Sequence, residues 1–242
     1  MTTRDSVRFG DTTIEYEVRR SRRRRKTIQI TVDRDGVHVA APARTPYREL
    51  RAIVHKRARW ILRHTAEAML EPAPMQFVSG ETLPYLGRNL RMTVAAADVP
   101  CSEVRLHHWR FHVAVPRDLD DGARRESVRC AFVRWYWDRA VERLGAGVER
   151  WWPRLGRGAR SRVLVRDQRR RWGSCSFDGT LRFNWRVMML APDLIDYIIA
   201  HELAHLTRRD HSPVFWALLS TEIPDVDERR KRLREAGRTL PL

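Results

Sequence analysis

The sequence predicts an α+β fold, and three patterns carry that prediction. The first forty residues alternate apolar and polar side chains with period two, as half-buried strands do. A second group of short strand-like stretches follows between Leu83 and Val115. From about residue 121 the apolar spacing is mostly helical, so strands and helices are grouped and do not strictly alternate.

Taken in order, TIEYEV (13–18), KTIQITV (26–32) and VHVA (37–40) read as strands, with DRDG (33–36) turning the last two into a hairpin. RRSRRRRK (19–26) joins the first two strands. It reads as a solvated loop, with an anion-binding finger as the alternative. Thr45 followed by Pro46 opens a helix whose apolar stripe, Leu50, Ile53, Val54 and Ile61, runs towards Met69. EPAPM (71–75) breaks that helix and suits a linker. LPYLG, NLRMTV and WRFHVAV (109–115) are the next strands. One long helix is then expected through Trp151 and Trp152, with Val128, Phe132, Trp135 and Val141 on its core face and an irregularity at Gly145 and Gly147. RVLV (162–165) and TLRFNW (180–185) are strands flanking RRRWGSCSFDG. Pro192 opens a helix, Ser212 and Pro213 open another, and a last one runs from Asp225 to near Gly237. No internal repeat or low-complexity tract is evident. The expected organisation is a β-rich region with one helix over 1–117 and a second region over 118–242.

The 242 residues suffice to bury a substantial core. The amino terminus, MTTRDSVRFGDTT, lacks the apolar stretch of a secretory signal, and no apolar run approaches the length of a membrane span. Cys101, Cys130 and Cys175 are odd in number and far apart, which suits a reducing compartment better than a disulfide framework. A cytoplasmic protein with no membrane partner is therefore expected. The formal charge of +17 is almost all arginine. It reads either as compositional drift or as a surface for an anionic partner, nucleic acid or nucleotide, whose phosphates the guanidinium fork fits.

HELAHLTRRDHSPVFW (201–216) carries the chemistry. The helix from Pro192 to Leu206 is apolar nearly all round, so it belongs in the interior. An unpartnered interior carboxylate would cost several kcal/mol, yet Glu202 is there. Residues four apart on a helix stand one above the other, so His201 and His205 can aim ring nitrogens at one point. His211 follows after a gap long enough for the chain to leave the helix and return. Three protein ligands with an open fourth position form the pattern of catalytic zinc, and Glu202 is offset enough to take a proton from activated water. Three alternatives stand beside this: core histidines without metal, a structural zinc closed by Cys175, or a third ligand from Glu222 or Glu228. The spacing also fits metzincins, but Arg208 stands where they have glycine, and no methionine follows Met189.

The stretch RRRWGSC…FNW…HELAHL…HSPVFW…PD, with weaker likeness at RRKT, RTP and PYLG, resembles the YgjP-like metallopeptidase-domain family, small zincins related to SprT-like and minigluzincin proteins. Asp210 departs from the asparagine common there. The resemblance implies zinc held by His201, His205 and His211, Glu202 as catalytic base, and a metal helix packed on a small mixed sheet.

Three functions follow. The first is a zinc peptidase acting on a peptide or protein substrate, with Arg171 and Tyr197 as candidate oxyanion donors. The second is a nucleoside-triphosphate pyrophosphohydrolase of UTP type at the same metal, with Arg169, Arg170 and Arg171 clamping phosphates. The third is a nucleic-acid-associated protein with a structural zinc.

Overall fold

The computed structural model describes residues 2–21, 23–33, 35–70, 75–168, 171–237 and 240–241. It is α+β, as expected. The chain divides into two compact units, Met1–Ala73 and Pro74–Leu242.

In the first unit, β1 (Thr2–Phe9), β2 (Thr12–Ser21), β3 (Gln29–Asp33) and β4 (Gly36–Pro42) form a sheet of order β1-β2-β4-β3. β1/β2 and β3/β4 are antiparallel and β2/β4 is parallel. β1 is not among the expected strands. The helix after Pro46 is interrupted at Arg57, giving α1 (Tyr47–Lys56) and α2 (Ala58–Leu70). The Arg57 N–H is shared between the carbonyls of Ile53 and Val54, which tightens that turn. Leu50, Val54, Ala58 and Ile61 face a small core with Ile14, Tyr16, Val18, Val37 and Val39. The Met69 side chain, Arg22, Arg34 and most of EPAPM lie outside the described residues.

In the second unit, β5 (Thr82–Tyr85), β6 (Arg88–Ala97), β7 (Glu103–His107) and β8 (Arg110–Pro116) form a sheet of order β5-β6-β8-β7. Its pairings repeat those of the first sheet: antiparallel, parallel, antiparallel. The likeness extends to residue positions. β7 and β8 span Glu103–His107 and Arg110–Pro116 where β3 and β4 span Gln29–Asp33 and Gly36–Pro42, a constant offset of 74. GVHVAAP and RFHVAVP occupy equivalent strands, and a helix starts five residues after each terminal proline, at Tyr47 and Asp121. The sequence expectation of no repeat is thereby corrected. In the parallel pairing His38 faces Glu17 and His112 faces Thr93, so copy two has two fewer residues between its second and third strands. An even difference in length keeps the pleat in phase and leaves the same face inward.

α3 (Asp121–Leu155) is unbroken, and no irregularity occurs at its glycines. Val128 and Phe132 are buried as expected, but Val141 is 54% exposed. At 3.6 residues per turn it lies about 140° round the helix from Val128. Tyr136, Ala140 and Leu144 take the inward positions. The sheet strands share one core with this helix and with everything after it: Leu83, Met92, Phe111 and Val113 pack in the same cluster as Phe132 and Trp185. A boundary at 117/118 would cut that core, and the separation falls instead at Ala73/Pro74, inside the Pro-rich breaker.

β9 (Val163–Arg166), β10 (Gly173–Cys175) and β11 (Leu181–Asn184) make a small mixed sheet of order β10-β11-β9, with β10 at its edge. A 3-10 turn (Trp185–Met189) leads to α4 (Pro192–Ala204), α5 (Pro213–Glu222) and α6 (Val226–Ala236). Among the described residues no helix is long and apolar enough to cross a membrane.

Candidate metal centre

α4 is fixed at both ends and along its length. At its start the Arg232 guanidinium donates to the Asp193 carboxylate at 2.6 Å, and Arg229 donates to the Asp193 carbonyl at 3.0 Å, so α6 latches its first turn. Along its length, Gly147 of α3 leaves room for Ile199, whose Cδ1 would stand 2.5 Å from any Cβ there. At its end the helix stops at Ala204, and His205 caps it. The chain turns away through the N–H groups of Leu206, Thr207 and Arg208. The Asp210 carboxylate then accepts from the Ser212 N–H at 3.3 Å, just before Pro213 starts α5. An asparagine oxygen could accept the same bond, so the departure at 210 changes charge and leaves the geometry intact.

This path returns His211 to the helix. Its Nε2 lies 3.0 Å from Nε2 of His201, and one ring nitrogen from each of His201, His205 and His211 lies within 4.8 Å of the others. Phe215 supports all three rings: it stacks on His205 at 4.7 Å and meets His201 and His211 edge-on at 5.0 and 4.9 Å. His205 Nδ1 stands 2.9 Å from the Arg208 carbonyl, which can only accept. Nδ1 therefore carries the proton and Nε2 presents its lone pair. Burial first, then the neighbouring His205 and His211, hold the His201 imidazole down to about 3, and burial lowers His205 too. Burial thus favours the neutral form of both rings, the form that can offer a lone pair to a metal. Nδ1 of His201 is buried without a partner.

Glu202 lines the same pocket as the three rings and is 6% exposed. Burial pushes its carboxyl up to about 8, with Arg171 pulling the other way. It fits only because residue 173 is glycine: a Cβ there would lie 2.7 Å from both Cγ and Oε1 of Glu202. Gly173 begins the edge strand β10, so the carboxyl, the histidines and an unpaired strand edge border one cleft. A polar lobe of about 300 Å³ holds the histidines with Cys175 and Arg209. A second lobe of about 230 Å³ is walled by Trp172, Tyr197, Ile198 and Leu233. Both include Arg171, Gly173, His201 and Glu202.

The other expected residues fall as follows. Arg171 is exposed at the junction of the lobes, its carbonyl held by the buried Asn184 amide at 3.2 Å. Tyr197 is buried in the apolar lobe with its ring 5.8 Å from that of His201, and burial raises its hydroxyl. Arg169 and Arg170 lie outside the described residues. Cys175 lines the polar lobe, but its sulfur is near the Ser176 carbonyl and Arg209 and is not among the converging ligand atoms. Glu222 pairs with Arg154 at 3.7 Å, and neither it nor Glu228 joins the group. Sequence reasoning did not find the parts played by Gly173, Asn184, Arg209 and Phe215. RWGSC, FNW and HSPVFW contain three of them, but only distances across the fold reveal what they do.

The three histidines suit a borderline divalent ion. Hard cations such as magnesium and calcium require oxygen donors, and among the described residues none joins this group. Nitrogens at about 2.0–2.1 Å from a tetrahedral ion lie roughly 3.3–3.4 Å apart. The 3.0 Å separation and the 4.8 Å limit bracket that distance.

A family model described as YgjP-like, metallopeptidase domain, matches residues 26–236. Two solved structures are similar: the metallopeptidase zymogen of Pyrococcus abyssi abylysin (25% identity, 41% of this chain and 99% of that one, TM-score 0.37) and that of Methanocaldococcus jannaschii jannalysin (23% identity, 38% and 95%, TM-score 0.36). No curated protein matches.

Proposed function

The chain belongs to the YgjP-like metallopeptidase-domain family and is a metal-dependent peptidase at that level, and from this premise we propose a zinc enzyme in which Glu202 is the general base. The observation that supports the proposal is the pairing of three convergent imidazoles with a carboxyl that burial pushes upward. A zinc ion held by His201, His205 and His211 would supply Lewis acidity to the reaction.

The chain's own residues do the rest. His201, His205 and His211 would hold the ion, and the Arg208 carbonyl keeps His205 in the tautomer that leaves Nε2 free to bind. Glu202 takes a proton, holds it in surroundings that favour its neutral form, and returns it to the leaving amine. An extended peptide adds beside the free edge of β10, which brings its carbonyl to Glu202. Arg171, beside Glu202 in both lobes, is the closer candidate for a donor to the developing oxyanion, and Tyr197 is the second.

Metal analysis and peptide cleavage by wild type and Glu202→Gln test this. Both proteins should carry zinc, and cleavage should fall by about 10²–10⁴-fold in the variant. A Gln variant as fast as wild type removes Glu202 from the mechanism.

Two guanidiniums on the pocket wall, Arg171 and Arg209, favour nucleotide hydrolysis as a second reading. Against it, Arg209 is already committed to the carbonyls of Ser176 and Phe177. Pyrophosphate release from UTP no greater than that of the Glu202→Gln variant ends this reading. For the anionic partner, the supporting feature is the outer face of α1 and α2, where Arg48, Lys56, Arg57 and Arg59 are exposed with Glu49 as counter-charge. Duplex DNA retained there should dissociate steeply with rising salt.

A further inference from the structure

Phe177 sits at the tip of the turn joining β10 to β11 and is 94% exposed, against 39 to 54% for the other large exposed apolar residues. Single apolar side chains on a surface are ordinary. The mounting of this one is not. The Gly179 N–H donates to the Ser176 carbonyl at 3.0 Å, and Gly179 takes the positive φ the turn requires. Asp178 accepts from the Ser176 hydroxyl, the Thr180 hydroxyl and the Thr180 N–H. From outside the turn, Arg209 donates to the Ser176 carbonyl at 2.6 Å and the Phe177 carbonyl at 3.0 Å, with its guanidinium 5.5 Å from the Phe177 ring centre. The ring therefore stands in solvent on a backbone that is tied in place.

The position is informative too. Arg209 and Cys175 both line the histidine lobe, so the turn is the rim of that cleft. A chain laid along the free edge of β10 would pass Phe177 two residues beyond Cys175, roughly 7 Å further on. A residue whose backbone is already held gives up little main-chain freedom when its ring is covered, which suits an interface anchor.

We propose that Phe177 is an anchor for extended polypeptide substrates, its ring covered by an apolar side chain of the substrate a few residues from the bond being cleaved. The substrate class is then unfolded or flexible polypeptide bearing apolar residues. The inference rests on the peptidase reading, and a binding measurement separates the two.

The probes are two labelled peptides long enough to run past the turn, one with phenylalanine at alternate positions and one with serine in its place. Binding is measured to chelator-treated wild type, Phe177→Ser and Phe177→Leu, and cleavage of the apolar peptide is measured with zinc restored. Phe177→Ser should weaken the apolar peptide about tenfold, with Phe177→Leu retaining most of the affinity and the serine peptide indifferent to either change. KM should rise by a similar factor with kcat kept. Equal binding of the apolar peptide by wild type and Phe177→Ser overturns the anchor, as does an equal loss for both peptides. If the binding difference holds but wild type cleaves nothing, the peptidase reading falls and the anchor stands. If cleavage proceeds without any dependence on residue 177, the anchor alone falls.

Discussion

The two four-stranded sheets share strand order and pairing, yet the residues filling them differ in one direction. Val37, Val39 and Ala41 line the first sheet where Phe111, Val113 and Val115 line the second. On the helices that cover them, Val54 corresponds to Val128, but Ala58 corresponds to Phe132. The first sheet is covered by α1 and α2, whose other faces carry exposed charge. The second is covered by α3, which also buries Ala140, Leu144, Val148 and Leu155 in the core shared with α4. Phe111 and Phe132 meet at 5.1 Å, and Tyr136 continues to Trp185 at 5.9 Å while its hydroxyl donates to the Pro84 carbonyl at 2.6 Å. One backbone plan thus serves as a small two-layer unit in one place and as the foundation of a metal site in the other, and side-chain volume makes the difference.

The comparison is broken most severely at Phe132. Phe132→Ala should cost about 3–5 kcal/mol in urea unfolding of the full chain and should reduce peptidase activity with it. Exchanging residues between the copies comes next. Phe111→Val should cost roughly 2–4 kcal/mol through the cavity it opens, while Val37→Phe should cost about 1–3 kcal/mol by overpacking. Equal tolerance of both exchanges would show that core volume does not distinguish the sheets.

An ion pair in the first copy gives a smaller effect. Asp5 accepts from Tyr16 at 2.9 Å and from Arg51 at 2.8 Å, and the Arg51 bonds first, with those from Tyr16 and Ser6, hold its carboxyl down from 3.8 to about 2. Asp5→Asn should destabilise the first unit by about 1–3 kcal/mol. Because the folded value is depressed, this stabilisation is present above 3.8 and lost as pH falls through about 2. Melting curves across that window should fall more steeply for wild type than for the variant. Last, Val141→Ser should stay within about 0.5 kcal/mol, since the side chain faces water.

Legibility in the sequence followed how local each signal is. The two histidines, the glutamate between them and His211 lie within eleven consecutive positions, so their convergence could be argued from helix geometry alone. The long helix is visible too, although its apolar pattern sets Val141 inward where a count of turns puts it outward. β10 was not legible as a strand, because three half-buried residues have no period. β1 escaped because its alternation is almost entirely polar, with Val7 and Phe9 only partly buried. The repeat escaped because VHVAAP and FHVAVP are ordinary strand sequences until strand register shows them in equivalent places. Gly173 illustrates a further limit: its need for emptiness is set by Glu202, which is 29 positions away and meets it only in the fold.

The acceptor that orients His205 belongs to the main chain at 208. Every amino acid offers an identical carbonyl, so drift at that position cannot remove it, whereas an orienting carboxylate side chain could be lost in a single step. Random mutagenesis around the centre should therefore find residue 208 permissive and residue 205 intolerant, a robustness that lineages of such proteins would inherit whatever they come to cut.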